Sequence, residues 1–101
     1  MDNRFRIEYL PIAENDLTEI IDYIQIDNPT AALSFINEID RAISKLALFP
    51  FLGPVPKDPR LIHLNYRMLV VGNYLVFYAV LEEVVEIRRI IHAKRKYDFL
   101  V

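Results

Sequence analysis

The stretch His63–His92, HLNYRMLVVGNYLVFYAVLEEVVEIRRIIH, decides the fold. It reads as three β-strands joined by two tight turns. Val, Ile, Leu, Phe and Tyr dominate it, the residue types that suit a pleated, half-buried surface. Gly72-Asn73 falls between two apolar runs, which is a hairpin signal. Glu82-Glu83 marks the second reversal with residues that disfavour positive φ. With two-residue turns at both places, Val71 pairs with Tyr74, Arg67 with Tyr78, and Tyr78 with Ile87. One face of the sheet then carries Arg67, Leu69, Val76, Ile87, Arg89 and Ile91. The other carries Met68, Val70, Leu75, Phe77, Arg88, Ile90 and His92.

Upstream, Arg4–Leu10 alternates. Phe5, Ile7 and Tyr9 point one way and Arg4, Arg6 and Glu8 the other, as in a half-buried edge strand. Pro11–Ile26 reads as a helix, with Ala13, Leu17, Ile20, Ile21 and Ile24 on one face. Asn28 and Pro29 supply the cap and first residue of a second helix running to about Leu48. Its stripe is Ala32, Phe35, Ile36, Ile39, Ile43 and Leu46. So short a link makes the two helices an antiparallel hairpin. Phe49–Arg60, with four prolines and Gly53, reads as a loop. The expected fold is α+β: an N-terminal strand, an antiparallel helix hairpin, then a three-stranded antiparallel meander with the helices packed on one face.

A hairpin of two helices covers one face only. The face with Leu69, Val76 and Ile87 is assigned to it. The face with Met68, Val70, Leu75 and Phe77, rimmed by Glu86, Arg88 and His92, is then open and available to a partner segment. The alternative is that Phe49–Arg60 folds over it. Arg67, alone among apolar strand residues, either neutralises Asp16 or Asp22 on the helix hairpin or reaches the rim of the sheet.

The 101 residues suffice for one core and are too few for two, so residues 1–101 are expected to form a single domain. A composition 53% hydrophobic and 26% charged excludes a disordered chain. No cysteine is present, which excludes disulfides and thiol catalysis and fits a reducing cytoplasm. The 14-residue run Met68–Leu81 is shorter than the roughly 20 residues a membrane helix needs, so no membrane role is expected. Neither a phosphate-binding glycine loop nor a metal-spaced histidine cluster is visible, so no metal or cofactor is expected.

The net charge is −2 and the pI about 5.6, which speaks against a free-standing nucleic-acid binder. The distribution is uneven. Ile7–Asp40 holds eight acidic residues and no Lys or Arg, whereas Arg88, Arg89, Lys94, Arg95 and Lys96 crowd the C-terminal end. The acids, Asp16 among them, read as a solvated helix face. The one constellation suited to acid–base work is His92, Lys94, Arg95 and Tyr97. RNA cleavage through a 2′-hydroxyl needs proton transfer, which His92 or Tyr97 supplies, and cations at the phosphate, which Arg88, Lys94 and Arg95 supply. A solvated basic tail beside a strand-end histidine accounts for the same residues.

The order of elements resembles the RelE/ParE toxin superfamily of bacterial type II toxin–antitoxin modules. The matching residues are Tyr9-Leu10-Pro11 leading into Asp16-Leu17 and Asp22-Tyr23-Ile24, then Phe49-Pro50 and Gly53. The longest run is Tyr66–Tyr78, followed by Val85-Glu86-Ile87 and Ile90-Ile91-His92. The resemblance implies a cytoplasmic growth-inhibiting toxin of the plasmid-stabilisation kind, held in a heteromeric complex by a cognate antitoxin whose C-terminal segment docks on helices and sheet. Met68, Val70, Leu75, Phe77 and Arg88 are the expected antitoxin contacts. Arg67, Lys94, Arg95 and Lys96 are the expected target contacts. In the RelE-like branch, which cleaves messenger RNA on the ribosome, an arginine usually follows the tyrosine corresponding to Tyr74. Here that position is Leu75. The ParE-like branch, which poisons DNA gyrase, lacks that arginine. The resemblance therefore implies a gyrase inhibitor that is not an enzyme. A ribosome-dependent endoribonuclease using His92, Lys94, Arg95 and Tyr97 is the alternative, and an inactive antitoxin-binding relative a second one.

Overall fold

The structure is a computed structural model that describes residues 4–95. Strand β1 (Arg6–Tyr9) leads into helix α1 (Pro11–Asp27) and helix α2 (Pro29–Ser44), which ends in a 3₁₀ turn over Lys45–Ala47. A short helix α3 (Pro59–His63) precedes the meander of β2 (Arg67–Val71), β3 (Tyr74–Leu81) and β4 (Val84–His92). The sheet order is β1-β4-β3-β2, with β1 parallel to β4 and the other pairs antiparallel. The α+β architecture is therefore as expected, and β1 is an edge strand.

Local chemistry explains the boundaries. Pro11 and Pro29 occupy first helical turns, where a missing N–H costs nothing. The Asn28 side chain accepts a 3.0 Å hydrogen bond from the Ala31 N–H and caps α2. Gly72 turns the first hairpin at φ +58°, and Glu82 the second at φ +53°, a left-handed conformation that strains a side-chain-bearing residue.

The helix hairpin packs on one face through Ala13, Phe35, Ile39, Ile43 and Leu46 against Val76, Tyr78, Val85, Ile87 and Ile90. Ile90 is on this face because of a β-bulge. Tyr78 pairs with Ile87, but Phe77 pairs with Arg89, so Arg88 is an extra residue in β4. Beyond it the alternation shifts by one. Ile90 pairs with Val76 and Ile91 with Leu75, the reverse of the faces assigned from strict alternation. His92 pairs with Tyr74 and thus leaves the far face too.

The far face is not open. Leu61 of α3 and Tyr66 cover it, forming a second apolar cluster with Leu75, Phe77 and Ile91. Phe77 is 0% and Leu75 7% exposed. Part of the segment read as a loop is a helix because Pro59 stands at its first position and Asp58 caps it, accepting from the Arg60 N–H at 2.9 Å. Proline excludes a helix interior but favours a helix start. The first meander strand correspondingly begins at Arg67, four residues after His63.

Candidate functional site: a groove at the end of the last strand

The two arginines at the bulge in β4 meet different partners. Arg88 stacks 5.2 Å from the Tyr66 ring and pairs with Glu86 at 2.9 Å. Arg89 instead reaches α1. Its Nε and Nη2 donate to the two carboxylate oxygens of Asp16 at 2.7 and 2.9 Å, and the Ile90 N–H donates to Oδ2 at 3.0 Å. Asp16 is buried and Arg89 half-buried, and the two-pronged pair ties α1 to the end of β4. The carboxylate holds the Arg89 guanidinium above its ordinary pKa, so the cation is fixed. Asp16, read from sequence as part of a solvated face, is the buried member of that acidic set.

Beside this pair lies a groove of about 350 Å³ lined by Glu19, Ile20, Tyr23, Tyr74, His92 and Arg95, with Asp16 in its wall. The His92 and Tyr74 rings meet edge-on with centroids 5.3 Å apart, and Tyr74 packs in turn on Phe35 at 4.9 Å. His92 Nδ1 accepts from the Lys94 N–H at 3.1 Å, which leaves Nε2 as the nitrogen available for proton transfer. Burial raises the pKa of the Tyr74 hydroxyl, with Tyr23 adding to it, so this phenol is a neutral donor and not a base near pH 7. The structure thus brings His92 and Arg95 into one groove and leaves Lys94 exposed at its end. Lys96 and Tyr97 lie outside the described residues. Among the described residues no group of three or more His, Asp or Glu side chains is arranged to hold a metal ion. No helix among them is long and apolar enough to cross a membrane.

The expected partner contacts are distributed differently from the sequence expectation. Val70 is 60% exposed on the edge strand β2, and Met68 and Arg88 are half-buried. Phe77 lies beneath α3 and presents no surface to a docked segment, and Leu75 only 7% of its own. Arg67 does not meet Asp16 or Asp22. Its Nη1 donates to the carbonyl oxygens of Phe51 (3.3 Å) and Gly53 (2.9 Å). The Gly53 N–H donates to the Tyr78 hydroxyl at 2.9 Å, and the Met68 N–H to the Pro54 carbonyl at 3.0 Å. The proline-rich segment is therefore stitched along the free edge of β2, which blunts it.

A sequence model described as the ParE toxin of the type II toxin–antitoxin system parDE matches residues 7–97. The chain belongs to the ParE toxin family. This ParE-family chain thus has the α+β fold of a type II toxin, and its groove, with Asp16 and Tyr74, falls within the matched span. Its fold is similar to a solved structure of the chromosomal ParDE toxin–antitoxin system from P. aeruginosa, at TM-score 0.74 and 18% identity over 91% of this chain and 99% of that one. It is also similar to a chain of the RelBE2 toxin–antitoxin complex from Mycobacterium tuberculosis, at TM-score 0.62 and 16% identity over 88% and 98%. No curated protein sequence matches this ParE-family chain at a significant level.

Proposed function

We propose that this toxin acts by protein–protein inhibition of DNA gyrase in the cytoplasm and is neutralised by a cognate antitoxin in a heteromeric complex. The observation that carries the reading is the state of Leu75. The residue stands where the messenger-RNA-cleaving branch of the superfamily carries an arginine, and it is sealed in an apolar cluster with Leu61, Phe77 and Ile91. An aliphatic side chain at that position offers no cation to a phosphate. The groove around His92 supports the same reading. Glu19 faces Arg95 across its lining and Asp16 is paired with Arg89, so the groove offers an RNA phosphate no excess of cationic charge.

The antitoxin fits the acidic helix hairpin, one end of which, at Tyr23, borders the His92 groove. Tyr23, Ile26 and Leu33 are exposed on a helix hairpin that carries seven acids and no Lys or Arg from Pro11 through Asp40. An amphipathic basic segment complements that surface in apolar area and in charge. Val70, Met68 and Arg88 are the members of the expected contact set still accessible to a wrapping segment.

A ribosome-dependent endoribonuclease is the second reading, favoured by the shared placement of His92 and Arg95. Induction of the toxin without its antitoxin separates the two. Gyrase-trapped DNA breaks and an SOS response support gyrase inhibition. Rapid cleavage of messenger RNA at ribosomal A-sites, abolished by His92→Ala, overturns it. Absence of growth arrest identifies an inactive antitoxin-binding relative.

A further inference from the structure

Arg67 differs from the other well-placed arginines. Arg6, Arg60, Arg88 and Arg89 each meet a carboxylate at 2.9 Å or less. Arg67 is half-buried, and among the described residues no carboxylate pairs with it. Only its Nη1 is engaged, by two neutral carbonyls, and its Cζ lies 4.8 Å from the centroid of the Phe51 ring. A guanidinium has five N–H donors in a planar fork suited to a carboxylate. Here Nε and Nη2 have no hydrogen-bond partner among the described residues. A partly desolvated cation in this state gains from a counter-charge brought by something else.

The surroundings say what else such a partner brings. Arg67 is the one charged residue lining a groove of about 290 Å³ whose walls include Phe51, Val55, Ile62, Tyr66 and Val80. Phe51, Val55 and Ile62 are exposed apolar side chains, which a monomer gains nothing by displaying together. The charge balance is also local. From Arg41 to Leu81 the chain holds Arg41, Lys45, Lys57, Arg60 and Arg67 against Asp58 alone, the reverse of the helix hairpin.

We propose that this groove is the contact site for an acidic segment of the target protein, in which a carboxylate forks onto Arg67 and a neighbouring apolar side chain sits between Phe51 and Ile62. The identity of the target rests on the functional reading above. The chemistry of the segment does not. A nucleic acid is the competing polyanion, but the aliphatic walls Val55, Ile62 and Val80 give bases little to stack on, and the groove lining itself holds a single cation, Arg67, where a phosphate backbone needs a row of them.

Two full-length variants test it, with affinity for purified gyrase and for the antitoxin as readouts. Arg67→Gln removes the fork and lowers gyrase affinity about 10- to 100-fold, the effect of losing a charged hydrogen-bonded pair. Ile62→Glu supplies the missing carboxylate from within the chain. It keeps or raises the thermal midpoint and still abolishes gyrase binding, which separates site occupation from misfolding; Ile62→Gln weakens binding less. Antitoxin affinity is unchanged in all three. Wild-type gyrase affinity in Arg67→Gln and Ile62→Glu overturns the groove assignment and leaves the functional reading intact. Failure of the unmodified chain to bind gyrase overturns the functional reading and the assignment of the groove to gyrase with it. Arg67-dependent binding to single-stranded RNA overturns a protein contact.

Discussion

Asp16 and Arg89, 73 residues apart in sequence, form a two-pronged ion pair that closes the helix hairpin onto the last strand. The same carboxylate satisfies the Ile90 N–H at the point where the bulge has displaced the strand. One acidic side chain thus fixes the junction that shapes the groove holding Tyr74 and His92.

Removing it takes a two-pronged carboxylate from a half-buried cation and the partner from a backbone donor together. Asp16→Ala is expected to cost about 1.5–3 kcal/mol of stability, the range for losing hydrogen bonds to a charged group. Urea unfolding should show a smaller loss for Asp16→Leu combined with Arg89→Met than for Asp16→Ala alone. A larger loss in the double variant contradicts this account of the pair.

Gly53 sits where no side chain fits. A Cβ there would come within 2.8 Å of the Met68 carbonyl and 2.9 Å of the Tyr78 hydroxyl. Gly53→Ala should therefore cost about 1–3 kcal/mol by overpacking. Tyr78→Phe, which leaves the Gly53 N–H unpaired, should cost about 1–3 kcal/mol. Thermal denaturation of the two variants checks both values.

The pH dependence follows from the buried phenols. Burial raises the Tyr78 pKa, against smaller lowering effects from the Gly53 N–H and Arg67, and burial with Asp40 raises that of Tyr9. A raised folded-state pKa means that the neutral phenol is favoured by the fold. That stability is fully present below the unfolded tyrosine value of about 10 and is lost as pH rises through the higher folded values. Denaturation midpoints should stay flat in this respect up to about pH 10 and fall above it. Tyr78→Phe should flatten the alkaline slope.

The far face offers a sharp contrast between neighbours on different faces and edges. Phe77→Glu buries an unpaired charge in the Leu61–Leu75–Ile91 cluster and should leave the chain unfolded or destabilised by more than about 4 kcal/mol. Val70→Glu, on the exposed edge of β2, should change stability by no more than about 0.5 kcal/mol. Circular dichroism of the two purified variants decides it; a folded Phe77→Glu chain refutes the closed far face.

Much of this architecture was legible in the sequence, for identifiable reasons. Asn28-Pro29 carries a cap and a helix start in adjacent residues, so the hairpin was readable locally. Gly72 supplies the positive φ that the first turn needs, and the β2–β3 register follows from it. The extra residue at Arg88 was not readable, because alternation of apolar residues looks the same with or without a bulge until the partner strand is known. The small helix α3 was hidden by its own proline. Asp16 could not be told from seven other acids, since what distinguishes it is the arrival of Arg89 from the far end of the chain. Of the residues lining the candidate groove, His92 and Arg95 lie close together in sequence, whereas Glu19, Tyr23 and Tyr74 come to them only through tertiary packing.

The central claim is that this ParE-family toxin, with Leu75 in place of a phosphate-binding cation, stops gyrase and does not cut RNA. The direct measurement is supercoiling of relaxed plasmid by purified gyrase in the presence of the purified toxin. The account predicts inhibition that rises with toxin concentration and is reversed by adding the cognate antitoxin. Undiminished supercoiling at toxin excess, together with ribosome-dependent messenger-RNA cleavage by the same preparation, would contradict it.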